Sequence, residues 1–240
     1  MLLSIKRILK YNTVFVFASC LIYFSAFTAG QISYAQNNVV EDKQKYILWL
    51  KGIRDEAIAL GIDRDTVLSA LENVVPIPRI IELDRHQPEF TLTFNKYLNN
   101  VVTDKRVERA RHLLNENANL LKKVETDFGV QPRFLMAFWG IETNFGDYYG
   151  KFPIIGALVT LAYDGRRSNF FRSQLLAALH IIDKGDIPLN AKGSWAGAMG
   201  NFQFIPTTYQ DFAIDFDHDG KRDLWTNMAD AFGSAANYLQ

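Results

Sequence analysis

A mainly α-helical fold is predicted by three features of this sequence. After residue 40, apolar residues recur at the three-and-four spacing of amphipathic helices, and glycines and prolines fall where those runs stop and start. Period-two alternation, the mark of a half-buried strand, is nearly absent. The 240 residues are enough for one substantial domain or two small ones.

Residues 1–35 are read as a signal peptide. Lys6, Arg7 and Lys10 precede the apolar run "TVFVFASCLIYFSAF", and "SYAQNN" offers Ser33 and Ala35 as small residues for cleavage before Gln36. A retained membrane anchor is the alternative, since the run is near the lower length for spanning a bilayer. A lipid-anchored form would use Cys20 after Ala18 and Ser19, but the apolar run continues past it. Cys20 is the only cysteine, so a cleaved product has neither disulfide nor thiol chemistry and is held by packing alone. The expected compartment is a bacterial periplasm. Formal charge is zero overall and, without the three leader cations, 0 − 3 = −3. No basic surface remains for nucleic acid, and that class of function is excluded.

In "YILWLKGIRDEAIALG", Ile47, Leu50, Ile53, Ala57 and Leu60 are placed inward on a first helix that Gly61 stops. Asp63 then caps a shorter helix carrying Val67, Leu68 and Leu71. "VVPIPRIIELDRHQPEF", with Pro76, Pro78 and Pro88, is expected to be a connecting loop. One long helix is predicted from near Asp104 to Gly129, with Val107, Ala110, Leu114, Leu121, Val124 and Phe128 on its apolar side. Pro132 opens the next, which contains Glu142 and stops at Gly146. Ser168 is expected to cap another, with Phe171, Leu175, Leu179 and Ile182 inward and Gly185 as terminator. A soft boundary separates a charged helical region, 36–129, from an aromatic and glycine-rich one, 130–240.

Glu142 stands in "FWGIETNFGDYYG", one turn beyond Phe138 and Trp139 and two beyond Leu135. On a helix it is predicted to share their apolar face, in the last turn, where the helix dipole is negative. Desolvation and dipole both oppose ionisation, so a raised pKa and a protonated carboxyl suited to general acid work are expected. The other reading is a structural glutamate hydrogen-bonded to a neighbouring turn.

"GSWAGAMGNFQF" sets Gly193, Gly197 and Gly200 close together with Ser194 and Gln203 as polar groups and Trp195, Phe202 and Phe204 alongside. Glycines let backbone approach a ligand, and hydroxyl, amide and aromatic groups suit a sugar; a tight helix connection would use the same residues. "DFDHDGKRD" puts Asp215, Asp217, Asp219 and Asp223 at positions 1, 3, 5 and 9 of an EF-hand-like loop, with Gly220 at 6 and the Lys221 carbonyl at 7. Position 12 is Thr226, where a bidentate glutamate is usual, and Asp230 on the next turn is the substitute ligand. A weak structural Ca²⁺ site is expected; the alternative is an acidic solvated turn.

In order along the chain, "GIETNFG", "ALVTLAYDGRRSNFFRSQL", "GSWAGAMGNFQFIPTTY", "DFDHDGKRDLW" and "GSAANYL" resemble the membrane-bound lytic murein transglycosylase B family, and "LDRHQPEFTLTFNKYL" resembles the helical region before its core. The resemblance spans roughly residues 45–240. It implies a lysozyme-like helical core with an additional N-terminal helical subdomain, cleaving the β-1,4 bond between N-acetylmuramic acid and N-acetylglucosamine in peptidoglycan. Glu142 matches the family's single acid/base. Ser194 and Gln203 match polar cleft residues, Arg166 and Arg167 a basic pair near the peptide stem, and Tyr238 a cleft tyrosine. The acidic loop matches the family's calcium site, and no cofactor is implied for the chemistry. One carboxylate suffices because the muramic acid 6-hydroxyl, already tethered to the substrate, attacks to form a 1,6-anhydro ring.

Two other functions are compatible with the residues. A hydrolysing muramidase would pair Glu142 with a second acid such as Asp147 or Asp164, and a peptidoglycan-binding scaffold would bring other cell-wall enzymes to their substrate. "AFGSAANYLQ" is a helix with no terminator after it, so the catalytic core is expected to be truncated at its C-terminal end.

Overall fold

The computed structural model describes residues 42–86 and 92–240, so the predicted signal peptide and Cys20 lie outside the described residues. The chain divides into two compact units, Met1–Gly52 and Ile53–Gln240. Of the first, residues 42–52 are helical, with Tyr46 stacked on Trp49. Residues 129 and 130, where the sequence changes character, both lie inside the second unit.

The second unit opens with helical residues 53–59 (α1). There follow α2 (Arg64–Ala70), α3 (Pro78–Arg85), α4 (Phe94–Val101), α5 (Asp104–Glu116), α6 (Ala118–Phe128), α7 (Pro132–Thr143), α8 (Ile154–Asp164), α9 (Ser168–Asp183), α10 (Pro206–Phe212) and α11 (Met228–Leu239). Two short strands, β1 (Phe152–Pro153) and β2 (Lys192–Gly193), pair antiparallel. Among the described residues no helix is long and apolar enough to cross a membrane.

α8 is the centre. Every residue from Ile154 to Ala162 is buried, because a helix that is apolar all round must be covered all round. α9 packs along it, α3 covers another side, and α2 and α10 lie against α9. The inward residues of α9 are those the spacing predicts, Phe171, Leu175, Leu179 and Ile182. α11 packs on α6, α7 and α10.

Asp63 caps α2 as expected, accepting from the amides of Asp65 and Thr66. Several other expectations change. The stretch around Pro78 is not simply a loop: with its ring at the first turn, where no amide partner is needed, Pro78 starts α3. The predicted long helix is two helices, broken at Asn117, whose side chain and backbone amide both turn back to the carbonyl of Leu113. Ser168 does not cap α9; Arg167 holds the cap position and no side chain caps the helix there. Ile47, Leu60 and Leu68 are exposed, while Leu50, Ile53, Ala57, Val67 and Leu71 are buried. α7 ends at Thr143 rather than Gly146, because Asn144 and Phe145 already take left-handed backbone, at φ 51° and 61°.

Candidate active site

α7 presents two faces. Leu135, Met136, Trp139, Gly140 and Thr143 are buried, whereas Phe138, Ile141 and Glu142 are open. Glu142 therefore shares a face with Phe138 one turn earlier, but not with Trp139 and Leu135 as the sequence suggests. That open face forms one wall of a cleft of about 360 Å³. Its other walls come from the segment after Gly200 (Phe202, Gln203, Phe204, Ile205), Thr208 of α10 and the last turns of α11 with Tyr238 and Leu239. Ser194 and Trp195 do not line it.

Burial raises the pKa of Glu142 above the ordinary glutamate value. The side chain reaches solvent along the open cleft, but its surroundings are largely aromatic and aliphatic, and no cation among the described residues lines the walls to offset the lost hydration. Among the described residues its carboxyl has no hydrogen-bond or ion-pair partner, so the structural-glutamate reading finds no support. The two other acids considered as partners are committed elsewhere. Asp147 is held by Arg109 and by Asn144 Nδ2 (2.7 Å), and the Arg109 guanidinium keeps its pKa low. Asp164 accepts from Arg85 at 2.8 Å. Neither lines the cleft.

Gln203 lines the same cleft as Glu142 from strained, left-handed backbone (φ 49°). Its Nε2 donates to the carbonyls of Gly200 (3.1 Å) and Tyr149 (3.4 Å). That use of the amide nitrogen leaves Oε1 for a ligand's hydroxyl or amide N–H. Tyr238 lies over Phe204 and Phe212, half exposed, so its ring forms part of the floor for an apolar sugar face. The Ser194 hydroxyl accepts from the amides of Ala196 (3.2 Å) and Ala198 (3.0 Å) and so organises the glycine turn itself. The glycines, too, serve internal approach rather than a ligand. A Cβ at Gly193 would meet the Ala198 carbonyl oxygen at 2.2 Å, and one at Gly197 the Leu158 side chain at 2.5 Å.

Arg166 and Arg167 do not reach this cleft. Both converge on the buried carboxylate of Asp84 at the end of α3; Arg166 also donates to the Asp84 carbonyl, at 2.7 Å. They tie the start of α9 to α3, although both guanidinium groups keep an exposed side.

In the acidic loop, oxygens of Asp215, Asp217, Asp219 and Asp230 lie within 4.8 Å of one another. Asp215 accepts from the amides of Asp219 (3.0 Å) and Gly220 (2.8 Å), closing the turn at the left-handed Gly220. Asp230 is fully buried and accepts from the amides of Phe216 and Asp223. Asp223 turns away from the group, its carboxylate accepting from the amides of Trp225 and Thr226 and from the Thr226 hydroxyl. Four converging carboxylates are an oxygen-only donor set of the kind a hard cation such as Ca²⁺ takes. Lys221 is exposed beside them, its amide donating to Asp219.

Comparison with known proteins places the chain in a family. Residues 46–240 match the model of the transglycosylase SLT domain family. The chain belongs to that family. It is 32% identical over 191 residues to membrane-bound lytic murein transglycosylase B of Escherichia coli (strain K12), covering 75% of this chain and 53% of that protein. It superposes with a TM-score of 0.77 and 45% identity on SltB3 from Pseudomonas aeruginosa, over 81% of this chain and 52% of the other. SltB3 has been solved in complex with NAG-NAM-pentapeptide and with NAG-anhNAM-pentapeptide. The E. coli lytic transglycosylase Slt35 in complex with calcium superposes with a TM-score of 0.69 at 32% identity, over 79% of this chain and 61% of the other. The chain thus spans about half the length of the first two relatives. The fold is the mainly helical, lysozyme-like one of these transglycosylases.

For this SLT-domain chain, sequence reasoning missed the aliphatic lining at Ile205 and Leu239, whose only signal was proximity to aromatics already singled out. It also missed Asn201, a single amide between Gly200 and Phe202.

Proposed function

We propose that this chain acts as a lytic transglycosylase on peptidoglycan, cleaving the β-1,4 bond between N-acetylmuramic acid and N-acetylglucosamine with formation of 1,6-anhydro-muramic acid. The observation that carries this is Glu142: among the described residues a single unpartnered carboxyl, with a raised pKa, in a cleft of sugar size that no other described acid lines. Protonated Glu142 donates to the glycosidic oxygen as the bond to the anomeric carbon breaks. The substrate's N-acetyl group stabilises the developing charge there. The Glu142 carboxylate then takes the proton of the muramic acid 6-hydroxyl, whose oxygen closes on the anomeric carbon. The acid is regenerated, and no water has to be held because the nucleophile is part of the substrate. Gln203 Oε1 and the Tyr238 ring orient the sugar, while the exposed sides of Arg166 and Arg167 are available to a peptide stem beyond the cleft.

Asp215, Asp217, Asp219 and Asp230 hold a structural calcium ion, with the Lys221 carbonyl at the seventh loop position, while Asp223 at the ninth holds the Trp225–Thr226 turn instead. The four converging carboxylates support this, as does the relative solved with calcium. The ion steadies the loop, and every proton in the reaction passes through Glu142. The setting is the periplasm, reached by export with a cleaved leader, and the partners are glycan strands and other cell-wall enzymes.

Digestion of purified peptidoglycan by wild type and E142Q, with product ends identified by mass, tests the proposal. Wild type is expected to release anhydro-muramyl ends and E142Q to be slower by at least about 10²-fold. Reducing ends would mean a hydrolase with a second acid, and binding without products a scaffold.

A further inference from the structure

We infer that Asn201 is a positioning residue for the proposed reaction, fixing Glu142 and Gln203 across the cleft from one another. Its side chain is almost fully buried, yet every polar atom of it is used. Oδ1 accepts from the indole N–H of Trp139 on α7 at 2.7 Å, and Nδ2 donates to the carbonyls of Leu224 and Trp225, both at 2.9 Å. The Asn201 carbonyl accepts from the hydroxyl of Thr143 at 2.9 Å, and its amide donates to the Leu224 carbonyl at 2.8 Å. Thr143 directly follows Glu142, while Phe202 and Gln203 directly follow Asn201. One residue thus fastens the end of the acid's helix to the base of the opposite wall, and both to the exit of the acidic loop.

The neighbouring backbone is built around this contact. Gly146 sits at φ 82°, and a Cβ there would come within 3.0 Å of Asn201 Oδ1. A Cβ at Gly200 would meet Leu224 at 2.7 Å. Neither Asn201 nor Thr143 lines the cleft, and both are buried. Loss of the link should let the two walls drift, which costs turnover rather than binding, since misplacement of a reacting group by about 1 Å can slow the reaction about 10²-fold.

This inference rests on the lytic transglycosylase reading, and its test keeps the two apart. Wild type, E142Q, N201A, T143V and T143S are assayed on a soluble glycan oligomer, with thermal unfolding alongside. Expected is a fall in kcat of about tenfold or more in N201A and T143V, with KM within about twofold and a cooperative transition retained. T143S, which keeps the hydroxyl, restores kcat. T143V has the shape of threonine and carries the test if N201A does not fold. Wild-type kcat in a folded N201A or T143V, or a rise in KM alone, overturns the inference. Absence of anhydro product from wild type overturns instead the reading on which it rests.

Discussion

Glu142 shows how far one residue can be read from sequence. Its helix, its closeness to Phe138 and the upward direction of its pKa were legible, because helical spacing and the opening Pro132 are local signals. Which face it takes was not, since the faces of α7 are assigned by what packs on Trp139 and Thr143 from distant segments. The raised pKa sets two expectations of definite sign. The reaction needs the protonated form, so kcat/KM holds at low pH and falls as pH rises through the folded-state pKa; a pH–rate profile on a soluble glycan checks this. Stability follows the same proton. Between the unfolded value of about 4.3 and the raised folded value the native state binds more protons, so this group's contribution falls as pH rises across that window. E142Q removes the effect, and its melting temperature at neutral pH should equal or exceed that of wild type, the usual sign of an acid kept for chemistry rather than stability.

At the scale of elements, the sequence marked out helices best where a cap or a left-handed glycine ended them, as at Asp63, Gly129 and Gly185. It failed where a single polar side chain or a tertiary contact decided the matter. Nothing local separates α5 from α6 except the turn at Asn117, and the proline-rich stretch becomes α3 because the amide of Ile77 donates to Thr160 of α8 (2.9 Å) and Asp84 meets Arg166 and Arg167. Glycines divide in the same way. Gly129 and Gly150 both have positive φ, but a Cβ meets nothing within 4 Å at Gly129, whereas at Gly150 it falls 2.0 Å from the Gly193 carbonyl oxygen. G129A should therefore cost about 1 kcal/mol, the conformational term alone. G150A should cost at least about 3 kcal/mol, because the approach of Gly150 to β2 is forced apart as well. Urea unfolding of the two variants measures the difference.

Across the whole molecule, the acidic loop, the glycine–glutamine segment and α7 form a connected series, joined at Asn201 and reaching Asp230 on α11. Motif spacing revealed the loop and the segment, but not the residue that joins them, since a single buried amide carries no pattern. If the four gathered carboxylates hold calcium, saturating ion stabilises the fold by about 2.7 kcal/mol at a hundred times Kd, or roughly 5–10 °C in melting temperature. Chelation should remove that shift. D217N should lose it and D223N keep it, because Asp223 spends its carboxylate on the Trp225–Thr226 turn; a D223N variant without the shift would return Asp223 to the ligand set. The central claim is that one carboxyl, without an activated water, cleaves the glycan. Digestion in ¹⁸O-enriched water, followed by mass analysis of the new ends, tests it most directly. The account predicts anhydro ends free of ¹⁸O, each lighter by one water than a reducing end. Reducing ends carrying one ¹⁸O would contradict it.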